Sequence, residues 1–243
     1  MIKHYIKVAI RLIKRSFLFS SINMLGFVLG MTAAFLIYLW IVDELTFEDF
    51  HRNRDSVYRV IAVDRKDGGE MKKSAYTVAP LSKALREEFP QMENATFVLN
   101  FGMLNLHSGA NLIEAKYTFV DTAFFDMFSF PVIAGDPALM KKDPQQIVLA
   151  ESTAKKLFGD SPAVGKDVTC QFLGQVHRYK VAAVLKVPRK SHIRFEVLLS
   201  EQAYFEPLSW DFAEGTNVYI QLRKGSVLSE ACLLYTSPSP RDA

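Results

Sequence analysis

The sequence predicts a mixed α+β domain joined to one N-terminal membrane helix. Two observations indicate this fold class: a long uncharged apolar run near the N-terminus and, after it, short β-branched segments alternating with short amphipathic ones. Of the 243 residues, 49% are hydrophobic and 23% are charged, which is the balance of a chain with a hydrophobic core. We therefore expect an amphipathic and transmembrane helical segment followed by an α+β domain of two lobes outside the cytoplasm.

The apolar run covers residues 21–42 and reads SINMLGFVLGMTAAFLIYLWIV. Its charge-free part extends back to Ser16 and is about 27 residues long, more than the roughly 20 that a helix needs to cross a bilayer core. A cleaved signal peptide would have an apolar region of about 7–15 residues followed by small residues. This run is longer and ends in YLWIV, which predicts an uncleaved transmembrane helix with Tyr38 and Trp40 near the outer interface.

The charges on either side of the run predict its orientation. Five basic residues and no acid precede it, namely Lys3, Lys7, Arg11, Lys14 and Arg15. Four acids follow it closely, namely Asp43, Glu44, Glu48 and Asp49. By the positive-inside rule, the N-terminus lies in the cytoplasm and the main domain outside it. The chain carries +3 in total and −2 without the five N-terminal charges, so we expect no nucleic-acid-binding surface.

Residues 1–20 are predicted to form a basic juxtamembrane helix. Apolar residues recur there at helical spacing with basic residues between them, at Ile2, Ile6, Ile10, Ile13 and Phe17. Such a helix can lie on an anionic membrane surface, or it can extend the membrane helix with its basic side chains reaching the headgroups. Either arrangement brings the segment into contact with membrane lipid.

Gly26 and Gly30 form a ridge of small residues in the sequence GFVLG. Such a ridge allows a second membrane helix to approach closely, although glycine is also common in membrane helices that use it for no contact. These two glycines are the candidate helix-packing residues of the chain.

Residues 43–231 are expected to form the outer domain. Its predicted strands are rich in β-branched and aromatic residues and bounded by turn signals. They cover residues 57–65 and 72–79, paired through a turn at Gly68 and Gly69, and then residues 95–101, 112–120, 145–150, 167–173, 178–187, 194–200 and 217–223.

Three helices are predicted between these strands. The first begins at Pro80, a favourable residue for a first helical position, and places Leu81, Leu85 and Phe89 on one face. The second is short, covers residues 122–130 and is expected to be capped by Asp121. The third covers residues 151–158 and ends at Gly159.

The motifs of catalysis are missing from the sequence, so we predict no enzyme activity, no catalytic residue and no metal or cofactor site in this chain. There is no G-x-x-x-x-G-K-[ST], G-x-S-x-G or H-E-x-x-H. The scattered histidines have no partner at metal-ligand spacing and are expected on the surface; they are His51, His107, His177 and His192.

Three further features are interpreted structurally. Cys170 is expected in a strand, and no disulfide with Cys232 is predicted. The FFDMFSF aromatics, residues 124–130, are expected to form a packed helix face rather than a ligand pocket. The basic residues of LKVPRKSHIRFEV are expected in a solvated loop after a strand, with an acidic partner or lipid headgroups as the alternative; they are Lys186, Arg189, Lys190, His192 and Arg194.

The order of these features resembles a known family. The segments DELTFEDFHRNRDSVYRV, VDTAFFDMFSFPVIAGDP, IVLAESTAKKLFGDSPAVGKDV and VAAVLKVPRKSHIRFEVLLS resemble the MacB/FtsX-type permeases of bacterial ABC transporters, including their MacB-like periplasmic core domain. The likeness covers about residues 1–230, and these motifs carry no catalytic residues.

The resemblance implies a function without chemistry in this chain. It implies an ABC ATPase subunit on the cytoplasmic side that binds ATP, a second permease half or copy, and a periplasmic domain that moves with the ATPase. It also implies location in the bacterial inner membrane and leaves a periplasmic partner open. The functions of family members vary: they expel drugs or peptides, release lipoproteins from the inner membrane or regulate cell-wall enzymes. Such permeases have at least three further spans after this domain, which are not in the sequence.

Two other classes of function compete with the permease. The first is a single-pass anchored sensor or binding module that recognises a periplasmic protein or ligand. The second is a membrane-bound enzyme, which the missing motifs disfavour. Genomic DNA that continues in frame into hydrophobic spans would support the permease, whereas a stop codon after residue 243 would support the anchored module.

Residues 232–243, CLLYTSPSPRDA, do not continue the pattern of the domain. Two Ser-Pro pairs follow a helix-like start at residues 226–231 without an apolar period. The peptide CLLYTSPSPRD can be encoded by a transposon-end adapter of sequencing libraries, so we expect an adapter-derived tail and a domain cut at its C-terminal end. The alternative is a natural disordered tail.

Overall fold

A computed structural model of the chain describes residues 2–65, 71–172, 175–203, 210 and 215–226. The predicted turn at Gly68 and Gly69 and all residues from 227 onward lie outside the described residues. The chain divides into two compact units, residues 1–47 and 48–243.

The first unit consists of two helices, α1 (Ile2–Arg15) and α2 (Phe17–Leu45). They are separated at Ser16, whose backbone leaves the helical conformation at φ −122° and ψ 52°. Helix α2 contains the predicted span and extends beyond it at both ends, with 29 residues and a mean hydropathy of 2.2 over its most apolar window. Among the described residues it is the one helix long and apolar enough to cross a membrane. The break at Ser16 favours a separate basic helix over a continuous extension of the membrane helix.

The second unit is built on a nine-stranded mixed sheet in the order β1-β11-β4-β5-β10-β7-β9-β6, with β8 paired to β4 and β9. A two-stranded sheet pairs β2 with β3. The strands are β1 (Val57–Arg59), β2 (Ala62–Arg65), β3 (Met71–Ser74), β4 (Met92–Ser108), β5 (Asn111–Val120), β6 (Val132–Gly135), β7 (Gln146–Ala150), β8 (Asp167–Phe172), β9 (Gln175–Leu185), β10 (Val197–Ser200) and β11 (Thr216–Leu222). The helices are α3 (Pro80–Glu88), α4 (Phe124–Met127), α5 (Leu139–Lys142) and α6 (Glu151–Phe158).

Side chains of the central strands alternate between two hydrophobic cores because successive residues of a strand point to opposite faces of the sheet. Leu149 belongs to the first core, which includes residues of α3 and α6, whereas its neighbour Val148 belongs to the second core with residues of α4 and α5. Both side chains are fully buried. The mixed α+β fold is therefore confirmed. Its two hydrophobic cores lie on opposite faces of one sheet.

Most predicted elements are present with shifted boundaries. The strand predicted at 57–65 is divided: β1 pairs with β11 in the large sheet, and β2 forms the small hairpin with β3. The predicted partner at 72–79 was too long, because after Ser74 the chain leaves the hairpin and Thr77 donates its N–H to Thr216 O. Strand β4 is longer than its predicted 95–101, since its second half alternates polar and buried residues and pairs with β5 and β8.

Asp121 does not cap helix α4, so that prediction was wrong. The N-cap position is Ala123, and no side chain caps the helix there. The buried Asp121 carboxylate instead accepts the N–H of Ala123 at 3.1 Å and a charged hydrogen bond from Arg86 on α3 at 2.9 Å. Asp121 therefore has one local partner in the turn before α4 and also joins α3 to the end of β5.

Candidate functional site

The candidate site lies where the chain enters the second unit. After α2 ends at Leu45, a turn brings Glu48 to the loop between β9 and β10, with Glu48 in the left-handed region at φ 61°. The N–H of Glu48 donates to Lys190 O at 3.1 Å, and the N–H of His51 donates to Glu48 O at 3.1 Å. The first residues of the domain are thus bound through their backbone to a loop more than 140 residues away.

The Glu48 carboxylate completes this attachment. Its Oε1 accepts the backbone N–H of His192 and lies 2.7 Å from His192 Nδ1. The other side of the imidazole, Nε2, lies 2.9 Å from the hydroxyl of Tyr219 on β11. Burial raises the pKa of Tyr219 to about 12, so this phenol keeps its proton at neutral pH. A continuous polar chain therefore runs from Glu48 through His192 to the sheet.

His51 lies on the other side of Glu48 and is buried, with 6% of its surface exposed. Its Nδ1 accepts the N–H of Ser129 at 3.0 Å, which places the proton of a neutral ring on Nε2. Nε2 lies 3.0 Å from Glu48 Oε2, without the alignment of a hydrogen bond. Burial lowers the pKa of His51 to about 4 in spite of the opposing effect of Glu48, so His51 is neutral at pH 7.

Aromatic packing surrounds the buried imidazole. The ring of Phe50 lies 4.0 Å from that of His51, measured between ring centroids, and Phe128 and Phe130 lie 5.1 Å from it in edge-on contacts. Nearby, Asn53 donates its side-chain N–H to Asp126 O of α4 at 3.2 Å. The entry segment is thus attached to the FFDMFSF segment as well as to the β9–β10 loop. We call Glu48, His51, His192 and Tyr219, with these attachments, the junction.

The junction brings together three of the sequence segments on which the resemblance rests. They are the segment after the membrane helix, FFDMFSF and the basic loop before β10. The fourth, AESTAKKLFG, forms α6 in the first core, with Ala154 and Leu157 buried and Gly159 after its end at φ 62°. Contacts across such distances leave no periodic pattern in the sequence, which is why Glu48 and Tyr219 were not identified as site residues.

The predicted surface position of His51 was wrong, because its ring fills an aromatic pocket where a charged imidazole would lose its hydration. His107 and His192 are exposed, and His177 is half-buried. His192 nevertheless contacts Glu48 and Tyr219, so the basic loop is more than a solvated connection.

The aromatic segment, the cysteines and the two glycines of α2 were also interpreted from the sequence. The FFDMFSF segment is a packed face as expected, with four of its side chains buried: Phe124, Met127, Phe128 and Phe130. Cys170 is a buried strand residue, and burial raises the pKa of its thiol to about 11. Cys232 lies outside the described residues. Gly26 and Gly30 are exposed on α2 with open space around them, so their packing role stays a prediction.

The junction is built for attachment. Among the residues that the structure describes, no three His, Cys, Asp or Glu side chains are placed to hold a metal ion together. The side chains of Glu48, His51, His192 and Tyr219 contact each other and neighbouring backbone groups at hydrogen-bond distances. The junction therefore joins the entry segment to α4 and to β11.

Acidification is expected to destabilise the junction. The pKa of His51 lies near 4 in the folded chain and near 6.5 when unfolded, so between these values the unfolded state binds a proton that the native state does not. Stability should therefore fall as the pH falls from 6.5 to 4. We expect the melting temperature to drop by about 3 °C or more across this window because of His51.

Melting curves of the wild type, His51→Gln and His107→Gln between pH 7 and 4 measure this contribution. His51→Gln should show a shallower decrease, whereas the exposed His107→Gln control should parallel the wild type. Groups distant from His51 titrate alike in all three proteins and cancel in the comparison. Parallel curves for all three would show that His51 is not the acid-sensitive group.

Comparison with known proteins supplies the family. The family model described as MacB-like periplasmic core domain matches residues 20–231. A search of curated proteins finds no match. Among solved structures, a domain of a putative permease protein from Porphyromonas gingivalis is similar, with a TM-score of 0.62, 24% identity, and coverage of 76% of this chain and 81% of that one. The periplasmic region of MacB from Actinobacillus actinomycetemcomitans has a TM-score of 0.50, 13% identity, and coverage of 65% and 71%. These two likenesses show the shared fold.

Proposed function

Since the chain belongs to the family of MacB-like periplasmic core domains, we propose that it is the N-terminal part of an ABC transporter permease that couples ATP hydrolysis by a partner ATPase to motion of its outer domain. The single observation that supports the coupling most directly is the junction. It attaches the first residue of the second unit, Glu48, to two separate parts of that unit.

Coupling requires that a displacement of the chain at Glu48 is passed on to the rest of the domain. A flexible linker would absorb movement of the chain at Glu48, because its backbone torsions are free to change. Here the N–H of Glu48 is bonded to Lys190 O, and its carboxylate contacts His192 and His51. A movement at Glu48 therefore displaces the β9–β10 loop and the aromatic packing near α4 together. This arrangement suits a two-state domain whose equilibrium is biased from a distant nucleotide site.

The remaining parts of the proposal follow from the family and from the first unit. Residues 1–20 would lie in the cytoplasm against membrane lipid, residues 21–42 would cross the bacterial inner membrane, and the domain would be periplasmic. Gly26 and Gly30 would face another membrane helix of the permease or of its second copy. ATP would be bound by the ATPase, with no cofactor in this chain. Efflux, lipoprotein release and signalling all fit this mechanism.

The complete permease, purified with its ABC ATPase, tests the coupling. A spin label on Lys83→Cys reports on α3, where the lysine side chain is 72% exposed, and pulsed EPR measures the distance between labels in two permease copies. We expect ATP to change this distribution in the otherwise wild-type protein. Glu48→Ala should reduce the change by at least about half, because it removes the carboxylate that bonds His192 and contacts the ring of His51.

Asp49→Ala is the matched control. Asp49 is the next residue, carries the same charge, has a side chain that is 53% exposed and pairs with Arg54 at the surface. This variant should keep the full response to ATP. An equal response in Glu48→Ala and Asp49→Ala would exclude the junction as the coupling element. Failure of the ATPase to copurify, or no response to ATP in the parent protein, would contradict the permease function itself.

A further inference from the structure

A cavity of about 610 Å³ opens beside the junction and has no role in the proposed coupling. Its lining includes Arg59, Tyr76, Asn100, Phe101, Asn217 and Tyr219. They come from four separate segments, including β1, β4 and β11. Its volume is in the range of sites for small organic ligands.

Hydrogen-bond donors are in excess in this cavity. Arg59 donates through Nη2 to Asn217 Oδ1 and to Ala75 O, which leaves further N–H groups of its guanidinium available. Asn100 Oδ1 accepts from Thr118 at 3.0 Å, and Asn217 Oδ1 accepts from Arg59. The amide nitrogens of both asparagines have no hydrogen-bond partner within the described residues. Within the described part of the chain, donor groups of Arg59, Asn100 and Asn217 therefore remain for a ligand.

The charge of the cavity also favours a ligand that accepts hydrogen bonds. Among the residues that the structure describes, no acidic side chain lines it and Arg59 has no carboxylate partner. The nearest acid of the junction, Glu48, is already bound by the N–H and the imidazole of His192. An arginine with free donors and no counter-ion favours an anion, and its planar guanidinium matches a carboxylate in a two-bond contact.

Aromatic rings form the apolar part of the lining. Tyr76 is 51% exposed and Phe101 is 37% exposed, both large values for aromatic side chains of a folded domain. The ring of Tyr219 also borders the cavity. Aromatic faces beside hydrogen-bond donors bind ligands that have a flat or apolar body as well as a polar end.

We propose that this cavity binds a carboxylate-bearing organic ligand with an aromatic or apolar body. Arg59 binds the carboxylate, with Asn217 and Asn100 as further donors, and Tyr76 and Phe101 contact the body. Such a group occurs both in small acids and at the C-terminus of a peptide. His192 also lines the cavity, so a bound ligand lies against the imidazole that contacts Glu48. The proposal stands independently of the ATPase and of transport.

N-acetylphenylalanine and its neutral amide are the probes. Ligand-observed NMR titrations use the full chain in lipid nanodiscs, with empty nanodiscs to subtract partition into lipid. We expect saturable binding of the acid below about 10 mM and binding of the amide at least about tenfold weaker, since a hydrogen bond to a charged group has about this effect. Equal binding of acid and amide, or no saturable binding, would overturn the proposal.

Two variants locate the binding. Arg59→Gln should weaken acid binding by about tenfold or more, while Arg178→Gln, an exposed arginine on β9, should leave it unchanged. Tyr76→Ala removes an exposed ring and provides a second test if Arg59→Gln disturbs β1; it should weaken acid and amide alike. Unchanged binding in both cavity variants would place the ligand elsewhere and refute the site. Acetyl-Ala-Ala-Phe binding more tightly than the single amino acid would assign the ligand to peptide C-termini.

Discussion

Asp121→Ala is expected to lower the free energy of unfolding by about 3–5 kcal/mol, the effect of breaking a buried ion pair by removing one partner. The Asp121 side chain is 1% exposed, and its Oδ2 lies 2.9 Å from Arg86 Nη1. Its Oδ1 accepts the hydroxyl of Thr96 and the N–H of Ala123. Alanine would leave the buried hydroxyl of Thr96 and the buried N–H of Ala123 without this acceptor.

The titration of the nearby Glu201 provides a second measurement of the same substitution. Burial raises the pKa of Asp121 more than Thr96 and Arg86 lower it. Burial, and after it the charge of Asp121, raise the pKa of the nearby Glu201 to about 7, against the opposing charges of Arg86 and Lys83. Removal of Asp121 should therefore shift the titration of Glu201 to lower pH. Asp121→Asn keeps the shape and one acceptor, so we expect it to lose less stability than alanine.

Urea unfolding of the full chain measures this effect against a matched control. Asp126→Ala removes an aspartate that is 56% exposed and paired with Lys141 at the surface. A surface pair of this kind contributes about 1 kcal/mol or less. Equal losses for Asp121→Ala and Asp126→Ala would show that the buried cluster does not stabilise the fold.

Gly135→Ala is the second substitution with a large expected effect. Gly135 ends β6 with φ +81°, a conformation that L side chains rarely adopt. A Cβ there would lie 2.1 Å from Ala182 O and 2.9 Å from Ala183 Cα, both backbone atoms of β9. The backbone conformation costs about 1–3 kcal/mol, and the displacement of a packed strand costs about 1–3 kcal/mol more.

Gly165→Ala separates these two contributions. Gly165 has the same φ of +81°, but a Cβ built on it meets nothing within 4 Å. Its substitution should show the conformational cost alone, so urea unfolding should find Gly135→Ala less stable than Gly165→Ala by about 1–3 kcal/mol. Equal stabilities would show that β6 can move away from β9 at little cost.

Local patterns allowed much of this fold to be predicted. The 29-residue helix α2 follows from a long uncharged run, and α6 follows from an amphipathic segment with a glycine after its end. Strand β5, predicted at 112–120 and observed at Asn111–Val120, follows from its β-branched and aromatic residues. Each of these depends on residues that are neighbours along the chain.

The predictions for Asp121 and His51 were wrong because residues distant in the sequence determine the environment of each side chain. Asp121 has the side chain of a helix cap, but Arg86 and Thr96 occupy its carboxylate. His51 is a polar residue of the kind expected on a surface, but Phe128 and Phe130 pack against its ring. Neither partner can be identified from local spacing.

The sequence by itself therefore determined the membrane helix, the α+β class and the family, because hydrophobic periodicity, caps and ordered motifs are local properties of the chain. Tertiary structure alone decided the junction and the cavity. Glu48 meets His192 across 144 positions, and the cavity joins Arg59 to Tyr219 through the pairing of β1 with β11. Contacts at such separations depend on strand order and register, which the whole sheet and its two cores determine together.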